Sequence, residues 1–118
     1  MKTNRDLKQE YLQMKFRMGV FQIRNKTNNK IFVESSVNLD SIYNRHRTQL
    51  KFGSHPNEEL QKDWNILGEE NFVFEVLGEI EQDDKTKDFK KEVKMLETMF
   101  IEELQPFDEK GYNRKTKK

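Results

Sequence analysis

Three side chains able to do acid–base or metal chemistry stand at telling places in this chain: Glu97, His46 and His55. On a helical wheel at ~100° per residue, Glu97 falls between Val93, Phe100, Ile101 and Leu104, in the middle of an apolar stripe. A carboxylate there must be ion-paired, hydrogen-bonded or metal-bound, because leaving it charged and unpartnered costs several kcal/mol. A nearby Lys or Arg would satisfy it as well as a cation would. His46 lies within the stripe Leu39, Ile42, Tyr43, His46 and Leu50. It can accept a proton near neutral pH, or it can line a cleft, hydrogen-bonded to Glu97 or Asn113. His55, in the Ser54–Asn57 loop, is placed to contact backbone. Tyr43, Arg45 and Arg47 add a hydroxyl and two cations to the same stretch.

The elements that must position these groups are legible from periodicity. Leu7, Tyr11, Met14 and Met18 recur at helical spacing, so 4–17 reads as an amphipathic helix. Met18 to Asn25 and Lys30 to Ser35 are β-rich runs joined by the polar stretch Lys26, Thr27, Asn28, Asn29, which reads as a hairpin. A sheet with one side buried would place Phe21 and Ile23 on one face of the first strand and Ile31 and Val33 on one face of the second, with Phe32 pointing the other way. Asn38 is a candidate N-cap for the His46 helix. Gly53 to Pro56 breaks it, and Pro56 or Asn57 opens another, striped by Leu60, Trp64 and Leu67 and ending near Gly68. Trp64 reads as a core anchor. Phe72, Phe74, Val76 and Ile80, with Glu75 and Glu79 between them, alternate as a third strand, 81–87 is a charged linker, and a last helix runs from about Asp88 to Leu104.

The triplets Gly19, Val20, Phe21 and Phe32, Val33, Glu34, on neighbouring strands, resemble the paired motifs of the GIY-YIG nuclease superfamily. The resemblance extends from Gly19 to Asn113 through His46, His55, Glu97 and the closing Gly111, Tyr112, Asn113, as in phage intron-homing members. It implies an α+β fold: a small, mainly antiparallel three-stranded sheet flanked by helices, in the order helix-β-β-helix-helix-β-helix. The implied division is an N-terminal helical extension over 1–18, the family domain over 19–113 and a basic tail over 114–118. By the same resemblance, Glu97 stands at the carboxylate that holds Mg2+ or Mn2+, with Glu34 as a further candidate ligand, and His46 stands with it among the catalytic positions.

Other family positions are vacated. Phe21 and Phe32 occupy the places of the two motif tyrosines, and a phenyl ring cannot donate, accept or transfer a proton. Ile42 occupies the place of the arginine that stabilises phosphate charge, and Glu34 replaces the motif's last glycine. Losing a positioned acid–base group costs about 10²- to 10⁴-fold in rate, and losing an electrostatic stabiliser costs on the order of 3 kcal/mol.

At 118 residues and without cysteine, the chain supports one compact core and neither a disulfide nor a thiolate metal site, which suits a cytoplasmic setting. No apolar run approaches the ~20 residues needed to span a bilayer, so no membrane partner is expected. The net charge of +1 conceals a strong asymmetry. The stretch 1–55 carries a balance of +7, 56–113 one of −10, and the tail after Asn113 one of +4. Segregated charge of this kind can create a basic face that steers a polyanion, although a solvated surface explains it equally. The expectation is therefore a nucleic-acid-binding domain, DNA before RNA, with cleavage weak or lost and Arg24, Arg45, Arg47, His55 and Asn113 at the interface. Two alternatives stand beside it: an Mg2+- or Mn2+-dependent endonuclease with a rearranged site, and a protein-interaction domain on the same scaffold.

Overall fold

The central strand of the protein is hydrophobic on both faces, and the rest of the architecture follows from covering them. The computed structural model describes residues 16–81 and 88–115. β1 (Met18–Asn25) lies between β2 (Ile31–Ser36) and β3 (Phe72–Ile80) in one antiparallel sheet of order β2-β1-β3. Three helices, α1 (Leu39–Lys51), α2 (Glu58–Leu67) and α3 (Phe89–Leu104), complete the α+β fold. The helix expected over 4–17 and the linker over 82–87 lie outside the described residues, apart from Phe16 and Arg17, which are not helical.

Local chemistry explains the boundaries. Asn29 takes the left-handed conformation (φ 64°) that an Asn tolerates at a turn, and Asn25 Oδ1 and Asn28 Oδ1 accept the amides of Thr27 and Lys30. Asn38, Asn57 and Asp88 cap α1, α2 and α3, each accepting an amide three residues on. Gly68, at φ 90°, lets the chain leave α2.

The register corrects the expected facing of β2. Phe32 pairs with Ile23 and Glu34 with Phe21, so Phe32 and Glu34 lie on the Phe21/Ile23 face. That face is covered by α1 and α2, with Phe21, Ile23, Leu39, Leu50, Leu60 and Tyr112 as its buried cluster. The other face is buried too, because α3 lies across it. Gly78 lacks a Cβ where Leu96 and Phe100 of α3 approach, and Val20, its partner on β1, is fully buried. The expectation of one buried side failed because alternation within a strand does not reveal a helix packed on the second face.

Gly19 is retained for a backbone reason. A Cβ there would lie 1.9 Å from the Gly78 carbonyl oxygen, where the pairing of β1 with β3 is offset by a bulge between Val20 and Phe21.

The closing Gly-Tyr-Asn covers the exposed edge of β2. Tyr112 N–H donates to the Ile31 carbonyl at 2.8 Å, and a Cβ on Gly111 would meet that same oxygen at 2.5 Å. Asn113 then imitates a strand residue: its Oδ1 accepts the Val33 amide and its Nδ2 donates to the Val33 carbonyl, both at 2.8 Å. An edge that would otherwise offer free backbone groups is thereby closed. The Tyr112 hydroxyl sits between elements, donating to Asp63 of α2 at 2.6 Å and accepting from buried Asn25 at 3.1 Å. Burial and the adjacent Asp63 carboxylate push its pKa upward. Tyr112→Phe strands Asn25 Nδ2 in the core, so a loss of about 1–3 kcal/mol in unfolding free energy is expected from urea titration.

Candidate functional site

Glu34, His46 and His55 form a continuous hydrogen-bonded row on the α1/α2 face of the sheet. His46 Nε2 lies 2.6 Å from Glu34 Oε2, and His46 Nδ1 lies 2.7 Å from His55 Nε2. The Asn57 amide fixes the far end by donating to His55 Nδ1 at 3.0 Å. These contacts assign the protons. His55 Nδ1 must accept, so a neutral His55 carries its proton on Nε2 and donates it to His46 Nδ1. His46 then carries its own proton on Nε2 and donates it to Glu34. Burial, reinforced by the neighbouring His46, lowers the pKa of His55 from 6.5 to about 4, consistent with the neutral form. Phe21 and Phe32 wall the row, their ring centroids each 5.6 Å from that of His46.

The row bears directly on the role that the resemblance gives His46. With Nδ1 accepting from His55 and Nε2 protonated towards Glu34, the imidazole has no free lone pair with which to take a proton from water. Phe21 is fully buried and stacks on Phe74 at 4.6 Å, so its ring serves packing. Ile42 is partly buried against the same core cluster, as its side chain favours and an arginine would not.

Glu97 approaches β2 from the opposite face. Its Oε2 accepts from the Ser35 hydroxyl and lies 3.2 Å from Lys94 Nζ. Ser35 pairs with Val20 and Glu34 with Phe21, so the two side chains leave β2 on opposite sides. Glu34 therefore pairs with His46 and lies apart from Glu97, whose alternative partner, a nearby lysine, is present as Lys94. Among the described residues, no group of three or more His, Asp or Glu side chains is gathered to hold a metal ion. Mg2+ keeps several waters and binds through one or two carboxylates with substrate phosphates, so Glu97, whose Oε2 already meets the Ser35 hydroxyl and Lys94, would be the residue to hold such an ion here.

The expected interface residues are dispersed among structural roles. Arg24 is held by Glu75 at 2.7 Å and Arg47 by Glu69 at 2.9 Å. Arg17 meets Glu79 at 2.6 Å, and Lys30 pairs with Glu59. Each of these pairs joins a cation from the basic first half to a carboxylate from the acidic second half. Among the described residues, these pairs offset part of the asymmetry seen along the chain. His55 is committed to the row and Asn113 to the Val33 backbone, whereas Arg45 is exposed and makes no ion pair among the described residues.

A sheet of order β2-β1-β3 with Gly19 at its central strand, an aromatic pair on neighbouring strands and a closing Gly-Tyr-Asn defines a GIY-YIG domain, and the chain belongs to that family. Its fold is that of the catalytic domain of the homing endonuclease I-TevI. One solved structure of that domain matches with a TM-score of 0.68 and 30% identity over 83% of this chain and 93% of that one. A second matches with a TM-score of 0.69 and 29% identity over 84% and 99%. The intron-associated endonuclease 1 of Enterobacteria phage T4 is 38% identical over 64 residues, which is 52% of this chain and 25% of that protein. This chain thus spans about a quarter of that relative's length in the matched region. No family model matches the chain.

Sequence reasoning missed Asn25, Gln61 and Tyr112 as organising residues. Gln61 accepts the His55 amide at 3.1 Å and donates to the Leu50 carbonyl at 3.0 Å, and so holds the α1–α2 turn. A polar residue falling on the apolar face of its own element, as Asn25 does beside Ile23, is the available signal.

The row also sets a pH dependence. His55 binds its proton near pH 6.5 when unfolded and near pH 4 when folded, so the unfolded chain takes up more protons between those values. Stability is complete above pH 6.5 and falls as the pH drops towards 4, by on the order of 3 kcal/mol. Urea midpoints measured across that range are expected to show the fall, and His55→Gln is expected to flatten it around a lower plateau.

Proposed function

We propose that this GIY-YIG domain binds nucleic acid and cleaves it weakly or not at all. The observation that carries the reading is the Glu34–His46–His55 row. It occupies the protonation sites of the candidate base, and it sets a carboxylate beside two phenyl rings where the family motif has hydroxyls and a glycine. A phosphodiester entering there would meet negative charge and no donor. The relatives are endonucleases, whose substrate is nucleic acid, and the partner carried over from them is DNA before RNA. No step is assigned to Mg2+ or Mn2+.

The pairing of first-half cations with second-half carboxylates favours a second reading, in which the scaffold meets a protein and contacts no polyanion. Salt-dependent retention of DNA separates the two, since each phosphate contact contributes about 0.9 to the log–log slope on duplex DNA.

The catalytic part is tested by plasmid nicking with Mg2+ and Mn2+ supplied. The native chain is expected to fall at least about 10⁴-fold below a variant carrying Phe21→Tyr, Phe32→Tyr, Glu34→Gly and Ile42→Arg. Cleavage by the native chain at the rate of that variant, abolished by Glu97→Ala, is the result that would overturn the reading.

A further inference from the structure

An aromatic cavity lies beside the histidine row, with His46 in its lining, and none of the roles above uses it. It opens to solvent between α1, α2 and β3 with a volume of about 80 Å³. Its walls are two aromatic pairs. Tyr43 and Phe74 meet edge to face, with centroids 4.5 Å apart, and Trp64 and Phe72 lie 5.2 Å apart and tilted by 37°. Arg47 and Glu69 also line it, hydrogen-bonded to one another at 2.9 Å, with each side chain 44% exposed. Lys51 follows one turn beyond Arg47, 3.7 Å from Glu69.

Trp64 was expected to be a core anchor. It is only partly buried, because the cavity takes one side of it. Tyr43, on the same face of α1 as Arg47, is likewise exposed at the surface. Aromatic side chains gathered at one opening to solvent offer apolar faces that a ligand ring can cover.

We infer that this cavity is a binding site for a single unstacked nucleobase. Every base has a π-face that can lie against an aromatic wall, and such stacking tolerates sequence variation. The polar part of the lining carries the complement of a base edge: carboxylate oxygens of Glu69 accept from ring and exocyclic N–H groups, and Arg47 Nη groups donate to ring nitrogen and carbonyl oxygen. Lys51 supplies a cation for the adjoining phosphate, which Glu69 keeps outside the cavity. A lipid chain would have no use for the paired donor and acceptor, and a bare polyanion none for the walls.

The inference deepens the nucleic-acid reading and rests on it. Trp64 is the sole tryptophan of the chain, so its emission reports the cavity directly. The full chain is titrated with a short single-stranded DNA oligonucleotide and, separately, with dextran sulfate, a polyanion without bases, while DNA retention is followed on a filter. Saturable quenching of Trp64 by the oligonucleotide and none by dextran sulfate is expected. Tyr43→Ala, at an exposed position, is expected to weaken the quenching isotherm about tenfold or more with an unchanged circular dichroism spectrum. Glu69→Gln is expected to alter the preference among oligonucleotides of single base composition. Retention of DNA with Trp64 silent, or quenching indifferent to Tyr43→Ala, overturns the cavity and leaves the nucleic-acid reading standing. Absence of both retention and quenching overturns the two together.

Discussion

The direction of the protons in the row from Asn57 to Glu34 constrains the rest of the molecule. A backbone amide at the start of α2 decides which nitrogen of His55 is protonated, and that proton decides the tautomer of His46. His46 in turn holds the carboxylate of β2. The row therefore joins the edge strand to α1 and to the α1–α2 turn through groups whose roles cannot be exchanged. Buried polar groups stabilise a fold when each is satisfied and penalise it when one is not. Gln61 and Asn57 complete the arrangement from α2, and Asn57 Nδ2 donates to the Tyr112 carbonyl at 2.7 Å, linking it to the segment that closes β2.

This network gives a physical account of what Phe21, Phe32 and Glu34 do for the fold. A catalytic base needs a free lone pair, and a nucleophile needs room beside it. Phe21 and Phe32 pack their rings around His46, and Glu34 accepts the hydrogen bond of the His46 Nε2–H. Each of these side chains adds packing or a hydrogen bond. Glu97 follows the same logic on the other face, where a serine hydroxyl and a lysine satisfy it. Fold and activity are separable because they rest on different groups: Gly19, Gly111 and the alternating apolar residues on one hand, polar side-chain tips on the other.

Charge behaves comparably. The basic first half and acidic second half look like a steering dipole along the chain, but antiparallel pairing of β1 with β3 sets Arg24 against Glu75 and brings Arg17 to Glu79. The contact of α1 with the turn Glu69–Asn71 does the same for Arg47 and Glu69. Exposed pairs of this kind contribute little to stability, about 0–1 kcal/mol each, yet each reduces the field that its separated charges would create.

The sequence by itself determined the order of the described elements, the cap at Asn38, the hairpin turn and the family, because these depend on periodicity, on residues acting within a few positions of themselves and on motif residues in register. It also fixed the chemistry of Phe21 and Phe32, since a phenyl ring lacks a hydroxyl wherever it sits. Tertiary structure alone decided that both faces of the sheet are covered, that Glu34 belongs to His46, and that Glu97 lies across the sheet from both. It alone opened the cavity between Tyr43 and Trp64. The physical reason is that a hydrogen bond or an ion pair is specified by distance and direction in space, and strand register turns neighbours such as Glu34 and Ser35 to opposite sides of the molecule.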